Sequence, residues 1–328
     1  MARWRTDFEL VNSVSIAFSL CSLVASGAIF ATYFCLGLAR APSFRVILLL
    51  VCSDMLYALQ ALFLWTDPDR LYNRGLCVAQ AFFSNFSNLA QLGWTSVMAL
   101  ILFLENKHLL LHAELFSRSR CLTYVSLGFV LPLIFSLPPL FGAYSPADNV
   151  CWITLDESES LCDPRYFEEF GPYCPAYNQV FVVIVYVLVW GSILANCVLY
   201  ARIILFRRAH LQAIRSSVES GQSREEVASL HLLVFPLGQL LLWVFPTLHR
   251  IIGLAGGADA GEPLLSVLHY ASLALSGVVN MFIYGCNPLV RAQLKAFCAR
   301  RKGGNKPEDQ PLIYLPQGPT EDKEYDTD

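Results

Sequence analysis

Seven long apolar runs, at about 10–37, 44–65, 77–104, 120–142, 176–205, 228–252 and 264–286, alternate with shorter polar or charged stretches along the chain. Each can cross a bilayer. The hydrocarbon core is about 30 Å thick and an α-helix rises about 1.5 Å per residue, so roughly 20 mostly apolar residues suffice. The pattern predicts an all-α integral membrane protein, a seven-transmembrane helix bundle over 10–286 with its two ends on opposite sides. Residues 1–9 read as a short extracellular N-terminus. Residues 287–302 read as a short amphipathic juxtamembrane helix on the membrane surface, with Leu289, Leu294 and Phe297 toward lipid and Arg291, Lys295, Arg300 and Arg301 toward headgroups. Residues 303–328 turn polar and acidic, and are expected to form a disordered cytoplasmic tail.

Within the spans, polar residues fall on helical faces. Gln80, Ser84, Asn88, Gln91 and Thr95 recur at steps of three or four, which places them on one side of the third span. His269, Ser272, Ser276, Asn280 and Tyr284 do the same on the seventh. A polar side chain is costly in hydrocarbon, so both stripes should face the bundle interior. The plain reading of such stripes is hydrogen bonding between packed helices. Asp54 is different: it is the one carboxylate well inside a span. A lone intramembrane carboxylate marks a proton, ion or switching site. Asp54, Asn280 and Tyr284 are therefore expected to meet near mid-membrane, through water or a small cation. Pro132, Pro138 and Pro139 in the fourth span and Pro236 and Pro246 in the sixth should kink their helices. Trp243 lies between the two prolines of the sixth span.

Composition agrees with a membrane protein. Of 328 residues, 55% are hydrophobic and 15% charged, with mean hydropathy +0.48; a soluble chain is about one-quarter charged. The net charge of −3 conceals an uneven distribution. Arg40, Arg45, Lys107, Arg118, Arg120, Arg202, Arg207, Arg208, Arg215 and the cluster Arg291–Lys302 all fall on one side; Arg3, Arg5, Arg70, Arg74, Arg165 and Arg250 fall on the other. Positive loops stay cytoplasmic, so the N-terminus is outside and the protein is expected to be a multi-pass plasma-membrane protein. Met1–Glu9 is short and charged and the first run is too long for a signal h-region, so the first helix should serve as its own uncleaved insertion signal. The stretch from Phe206 to Arg224 reads as a short basic loop. Ser216, Ser217, Ser220 and Ser223 in it are the candidate phosphorylation sites.

Eleven cysteines divide by location. Cys77, Cys151, Cys162 and Cys174 lie outside, where disulfides persist, and four cysteines allow three pairings. Cys298 lies in the basic amphipathic segment and is a candidate for palmitoylation.

The ordered set of motifs resembles the cyclic-AMP-receptor-like group of G-protein-coupled receptors, which shares features with the secretin-like class. The residues that carry it are Ser53-Asp54-Met55-Leu56, Cys77 with Gln80 and Trp94-Thr95, Cys151-Trp152-Ile153, Phe235-Pro236-Leu237 with Trp243 and His249-Arg250-Ile251, and Asn280 to Asn287. The resemblance covers about residues 10–300. It implies a receptor activating a heterotrimeric G protein, and a Cys77–Cys151 disulfide that would leave Cys162 to Cys174. The chain also departs from related classes. Leu104-Glu105-Asn106-Lys107-His108 stands where rhodopsin-like receptors carry Asp-Arg-Tyr, and Asn280-Met281-Phe282-Ile283-Tyr284 lacks their proline.

The bundle mouth should be lined by Gln80, Ser84 and Asn88, by His249 and Arg250, and by His269, with Trp243 deeper in the sixth span. These residues suit a small polar extracellular ligand. Arg250 favours an anion such as a cyclic nucleotide. The acidic second outer loop, with Asp148, Asp156, Glu157, Glu159 and Asp163, steers cations instead. A retinal protein would need a lysine for the Schiff base in 264–286, and there is none. No metal-spaced His cluster or nucleophile motif points to an enzyme, and no cofactor or nucleic-acid partner is implied. The alternative is a polytopic transporter using Asp54 as a coupling site, which would be expected to show repeat symmetry, helices broken at mid-membrane or several coupled carboxylates.

Overall fold

The computed structural model describes residues 2–36, 42–65, 74–106, 112–141, 144–147, 150–153, 176–215, 234–256 and 263–285, with a few positions between 290 and 297. Cys162, Cys174, Cys298, the serines of 216–223, the tail and the side chain of Tyr284 lie outside the described residues.

The protein is an all-α membrane helical bundle. The spans are Ala2–Cys35, Pro42–Trp65, Arg74–Asn106, a composite fourth, Ala176–Arg215, Val234–Gly256, and a seventh made of Pro263–Ala274 and Ser276–Gly285. The two halves of the seventh meet at a 49° bend. The bend falls at Leu275, and the Gly277 N–H donates to Ser22 Oγ of the first span at 2.8 Å. A side chain entering the backbone ladder is an ordinary cause of a helix bend. Ser15, Ser19, Ser22 and Ser26 form the buried face of the first span that makes this close approach possible.

The fourth span is not one regular helix. Arg118–Val125 is α-helical, Ser126–Val130 is π-helical, Leu131–Ser136 is α-helical again and Pro138–Phe141 is a 3₁₀ turn. Pro132 stands at the start of the second α segment. In the sixth span, Pro246 is the interior proline. Pro236 lies in the first turn of the described part of that helix.

The apolar spans Leu10–Cys35 and Val180–Phe206 fall close to the expected bounds, while the helices that carry them run further. The fifth span was expected to end at about 205 and give way to a basic loop from Phe206. Instead the helix runs on through Arg215, 40 residues in all, or about 60 Å at about 1.5 Å per residue. The first helix likewise begins at Ala2, inside the segment read as an extracellular N-terminus. Hydropathy marks where a helix leaves the bilayer, not where it stops. Phe206–Arg215 holds no Gly or Pro to end it.

The third span is the axis of the bundle, packing against the second, the fourth and the fifth and against the outer loop. Trp94, Val97, Ala90 and Ala99 on it are all fully buried. The fifth span shows two faces: Val182, Val185, Val189, Ile193, Tyr200 and Ile203 point inward, while Val183, Val187, Leu194, Val198 and Leu205 are exposed and suited to lipid. The second outer loop contains an antiparallel hairpin, β1 (Tyr144–Ala147) and β2 (Val150–Ile153), pairing Tyr144 with Ile153 and Pro146 with Cys151. Periodicity within the spans gave no sign of it.

Candidate functional site

A cavity of ≈ 40 Å³ lies between the third, fifth, sixth and seventh spans and β2. That is room for a few waters; an organic ligand would need the walls to move apart. Of the residues expected at the mouth, Gln80, Ser84, Asn88, Trp243, Arg250 and His269 line it. His249 does not: it is buried behind His269, with the two Nδ1 atoms 2.8 Å apart. Tyr57, Asn85, Trp152, Tyr186 and Tyr270 also line the cavity, and sequence reasoning did not name them as ligand contacts. For Trp152 and Tyr186 the available signal was weak: each is an aromatic near the outer end of an element.

The wall is built by specific contacts. Cys77 at the start of the third span is joined to Cys151 on β2, with Cα atoms 5.2 Å apart. This bond holds β2 against the bundle and sets Trp152 over the cavity. Trp152 lies edge-on to Tyr186, and the Arg250 guanidinium sits 4.5 Å above the Trp152 ring, a cation–π contact. The hairpin is tied at its other strand as well: Asn85 Nδ2 donates to Tyr144 Oη at 3.1 Å, and Tyr144 donates to the Ser136 carbonyl at 3.0 Å. Burial pushes the Tyr144 phenol up from its ordinary value, so it stays a neutral donor. Asn85 is only 2% exposed and links the third span to β1.

Two cavity groups stand out by what they lack. Gln80 Oε1 and Asn88 Oδ1 are buried on the third span without a hydrogen-bond partner among the described residues. Unmade hydrogen bonds in a buried site are costly, and a ligand or water bearing N–H or O–H groups would complete them.

Inward of the cavity lies a second polar cluster. Asn280 Nδ2 donates directly to Asp54 Oδ2 at 2.6 Å, with no intervening water or cation needed, so the expectation of a bridged contact is corrected. Ser276 lies beside the same carboxylate. Gln91 Nε2 donates to Ser276 Oγ at 3.4 Å, Thr95 donates to the Gln91 carbonyl at 2.8 Å, and Gln239 Nε2 donates to Thr95 Oγ1 at 3.4 Å. One chain of contacts thus joins the second, third, sixth and seventh spans. Gln239 was not singled out from the sequence. The signal was present: an amide four residues before Trp243 in an apolar span.

Removing the outer bond should be felt throughout this site. Cys77→Ser or Cys151→Ser is expected to lower stability by about 2–4 kcal/mol, because the bond closes a long loop, and to uncover the cavity. Melting of the purified protein checks the first part. Peptide mapping without reduction checks the pairing, and recovery of Cys77 joined to Cys162 would contradict it.

Comparison with known proteins points the same way as the geometry. Residues 6–162 match the family model described as 7 transmembrane receptor (Secretin family). The chain is 25% identical over 296 residues to "G-protein coupled receptor 1" of Arabidopsis thaliana, covering 87% of this chain and 80% of that protein. It is 26% identical over 294 residues to "G-protein coupled receptor 157" of Mus musculus, covering 84% and 82%. The protein is thus a helical membrane protein similar to G-protein-coupled receptors.

Proposed function

We propose that the protein is a plasma-membrane G-protein-coupled receptor that senses a small polar extracellular ligand and signals to a cytoplasmic heterotrimeric G protein. One observation carries this reading. The third span bears cavity-lining Asn88 and, one and two turns further in, Gln91 and Thr95 of the network that reaches Asp54 and Gln239. A ligand that moves the cavity wall therefore acts on a polar cluster binding four helices together. Catalysis forms no part of the reading. Within it, the motifs favour the cyclic-AMP-receptor-like group, and the cationic Arg250 on the wall suits an anionic ligand. The transporter alternative loses ground, because Asp54 is bonded to Asn280 inside the bundle.

The test is G-protein activation in cells expressing the chain, screened against cyclic nucleotides, amines and short peptides. Purified receptor in proteoliposomes should accelerate nucleotide exchange on a G protein and move no solute; flux without exchange would support the transporter instead. Once a ligand is in hand, Arg250→Lys should keep the charge but weaken the stacking on Trp152, giving a smaller loss of potency than Arg250→Ala. Unchanged potency in both would remove Arg250 as a ligand contact.

A further inference from the structure

We propose that Gln80 and Asn88 of the third span form a recognition site for an uncharged amide edge, an N–H beside a C=O as in a carboxamide, lactam or urea. The signalling role of such a ligand rests on the receptor reading; its binding does not.

The polar groups of the cavity wall divide into those already engaged and those left over. A hydrogen bond joins the hydroxyls of Tyr57 and Ser84. Asn85 Nδ2 lies 3.1 Å from Tyr144 Oη and 3.4 Å from Ser136 Oγ, so that carboxamide holds the hairpin. Tyr186 donates to the Pro246 carbonyl at 3.3 Å, and His269 meets His249. Gln80 and Asn88 line the same cavity and are as deeply buried, at 1% and 7% exposure. Their side-chain oxygens have no hydrogen-bond partner among the described residues. That is a cost to the empty protein, and one that a bound group can offset.

The chemistry of the edge selects what fits it. A carboxamide presents a donor and an acceptor side by side, whereas a carboxylate only accepts and an amidinium, like a guanidinium, only donates. Either ion would pair with half of the edge and set like against like on the other half. A second amide pairs with both halves, in a ring of two N–H···O=C bonds. Exchanging the oxygen and nitrogen of either side chain leaves the same edge, so its complement is unchanged. Two helical turns, about 12 Å, separate Gln80 from Asn88. One small amide therefore engages one of them, and an elongated ligand with an edge at each end engages both. Asn88 is the end that reaches the inner cluster: it lies about one turn from Gln91, whose Nε2 donates to Ser276 beside Asp54.

Acetamide, acetate and acetamidinium are matched probes, alike in size and shape and different only in that edge. The cavity of ≈ 40 Å³ already holds space for a few waters, and so for a molecule of this size. Saturation transfer from the purified full-length protein to the probe's methyl protons is measured at the millimolar concentrations that such small molecules require. Acetamide should bind roughly fivefold more tightly than either ion, the worth of about one net hydrogen bond, and the preference should vanish in Gln80→Met/Asn88→Leu. Equal binding of the three, preference for an ion, no acetamide signal, or a preference that survives in the variant overturns the proposal. Both replacements are apolar and close in volume, so the empty variant should melt at or above wild type, by up to roughly 2–4 °C. A variant that melts lower, or does not fold, shows amides that hold the structure together and also overturns it. G-protein nucleotide exchange is read separately. Acetamide binding without exchange keeps the site and removes the receptor role; exchange without acetamide binding does the reverse.

Discussion

Asn280→Leu is expected to destabilise the protein by roughly 2–3 kcal/mol, whereas Asp54→Asn should fold, reach the cell surface and signal differently. The two changes act on the same hydrogen bond from opposite ends. Asn280 donates to Asp54 Oδ2, and Asp54 is 0% exposed. Leucine at 280 fills the space but removes one of the two hydrogen-bonding neighbours of the Asp54 carboxyl, Asn280 and Ser276, in a fully buried site, and an unmade hydrogen bond at a buried polar group is costly. Asparagine at 54 keeps the shape and can still accept from Asn280, and it removes only the carboxyl's capacity to ionise. Its effect should therefore appear in function more than in folding. Thermal melting in detergent reads the first, and surface labelling with G-protein activation reads the second. An Asn280→Leu protein as stable as wild type, or an Asp54→Asn protein with wild-type signalling, would show that the carboxylate does not organise the four helices.

Much of this arrangement was legible in the sequence for one physical reason. Hydrocarbon forces polar side chains inward, so a polar residue in an apolar helix declares its direction. Gln80, Asn88, Gln91 and Thr95 are all buried on the third span, and His269, Ser276 and Asn280 on the seventh. What the pattern could not supply was partnership. Nothing in local periodicity says that Gln239 of the sixth span reaches Thr95, or that His249 turns away from the cavity to meet His269; both depend on how helices far apart in sequence are rotated and tilted against each other. The hairpin of the second outer loop was missed for a similar reason. Its strands are four residues each, too short to carry an alternation signal, and they are held by the Cys77 bond and by Asn85. The π-helical stretch of the fourth span escaped because it serves a tertiary contact, the close approach of Gly128 to Trp94.

That contact sets the second large effect: Gly128→Ala should prevent normal folding, although alanine is the better helix former. In an exposed helix the exchange would gain about 1 kcal/mol. Here a Cβ on residue 128 would overlap the Trp94 indole at Cε2, Cδ2 and Cζ2. The indole has no room to retreat. Trp94 is 0% exposed and lies edge-on to Phe129, 5.1 Å between centroids. The helices cannot slide apart cheaply either, because a Cβ at Gly93, on the facing turn, would stand 2.5 Å from the Leu127 carbonyl oxygen. Two glycines thus let the third and fourth spans touch backbone to side chain, and overpacking such a seam costs about 1–3 kcal/mol, and more where, as here, neither side can retreat. Gly27 and Gly191 serve as controls, since a Cβ at either meets nothing within 4 Å, and their alanine variants should match or slightly exceed wild type in stability. Surface expression and detergent melting distinguish the cases. Pairing Gly128→Ala with Trp94→Leu, which removes the obstructing ring, should recover part of the loss. If Gly128→Ala behaves like Gly191→Ala, the third and fourth spans are not packed this closely in the membrane, and the position of the cavity wall they support would have to be redrawn.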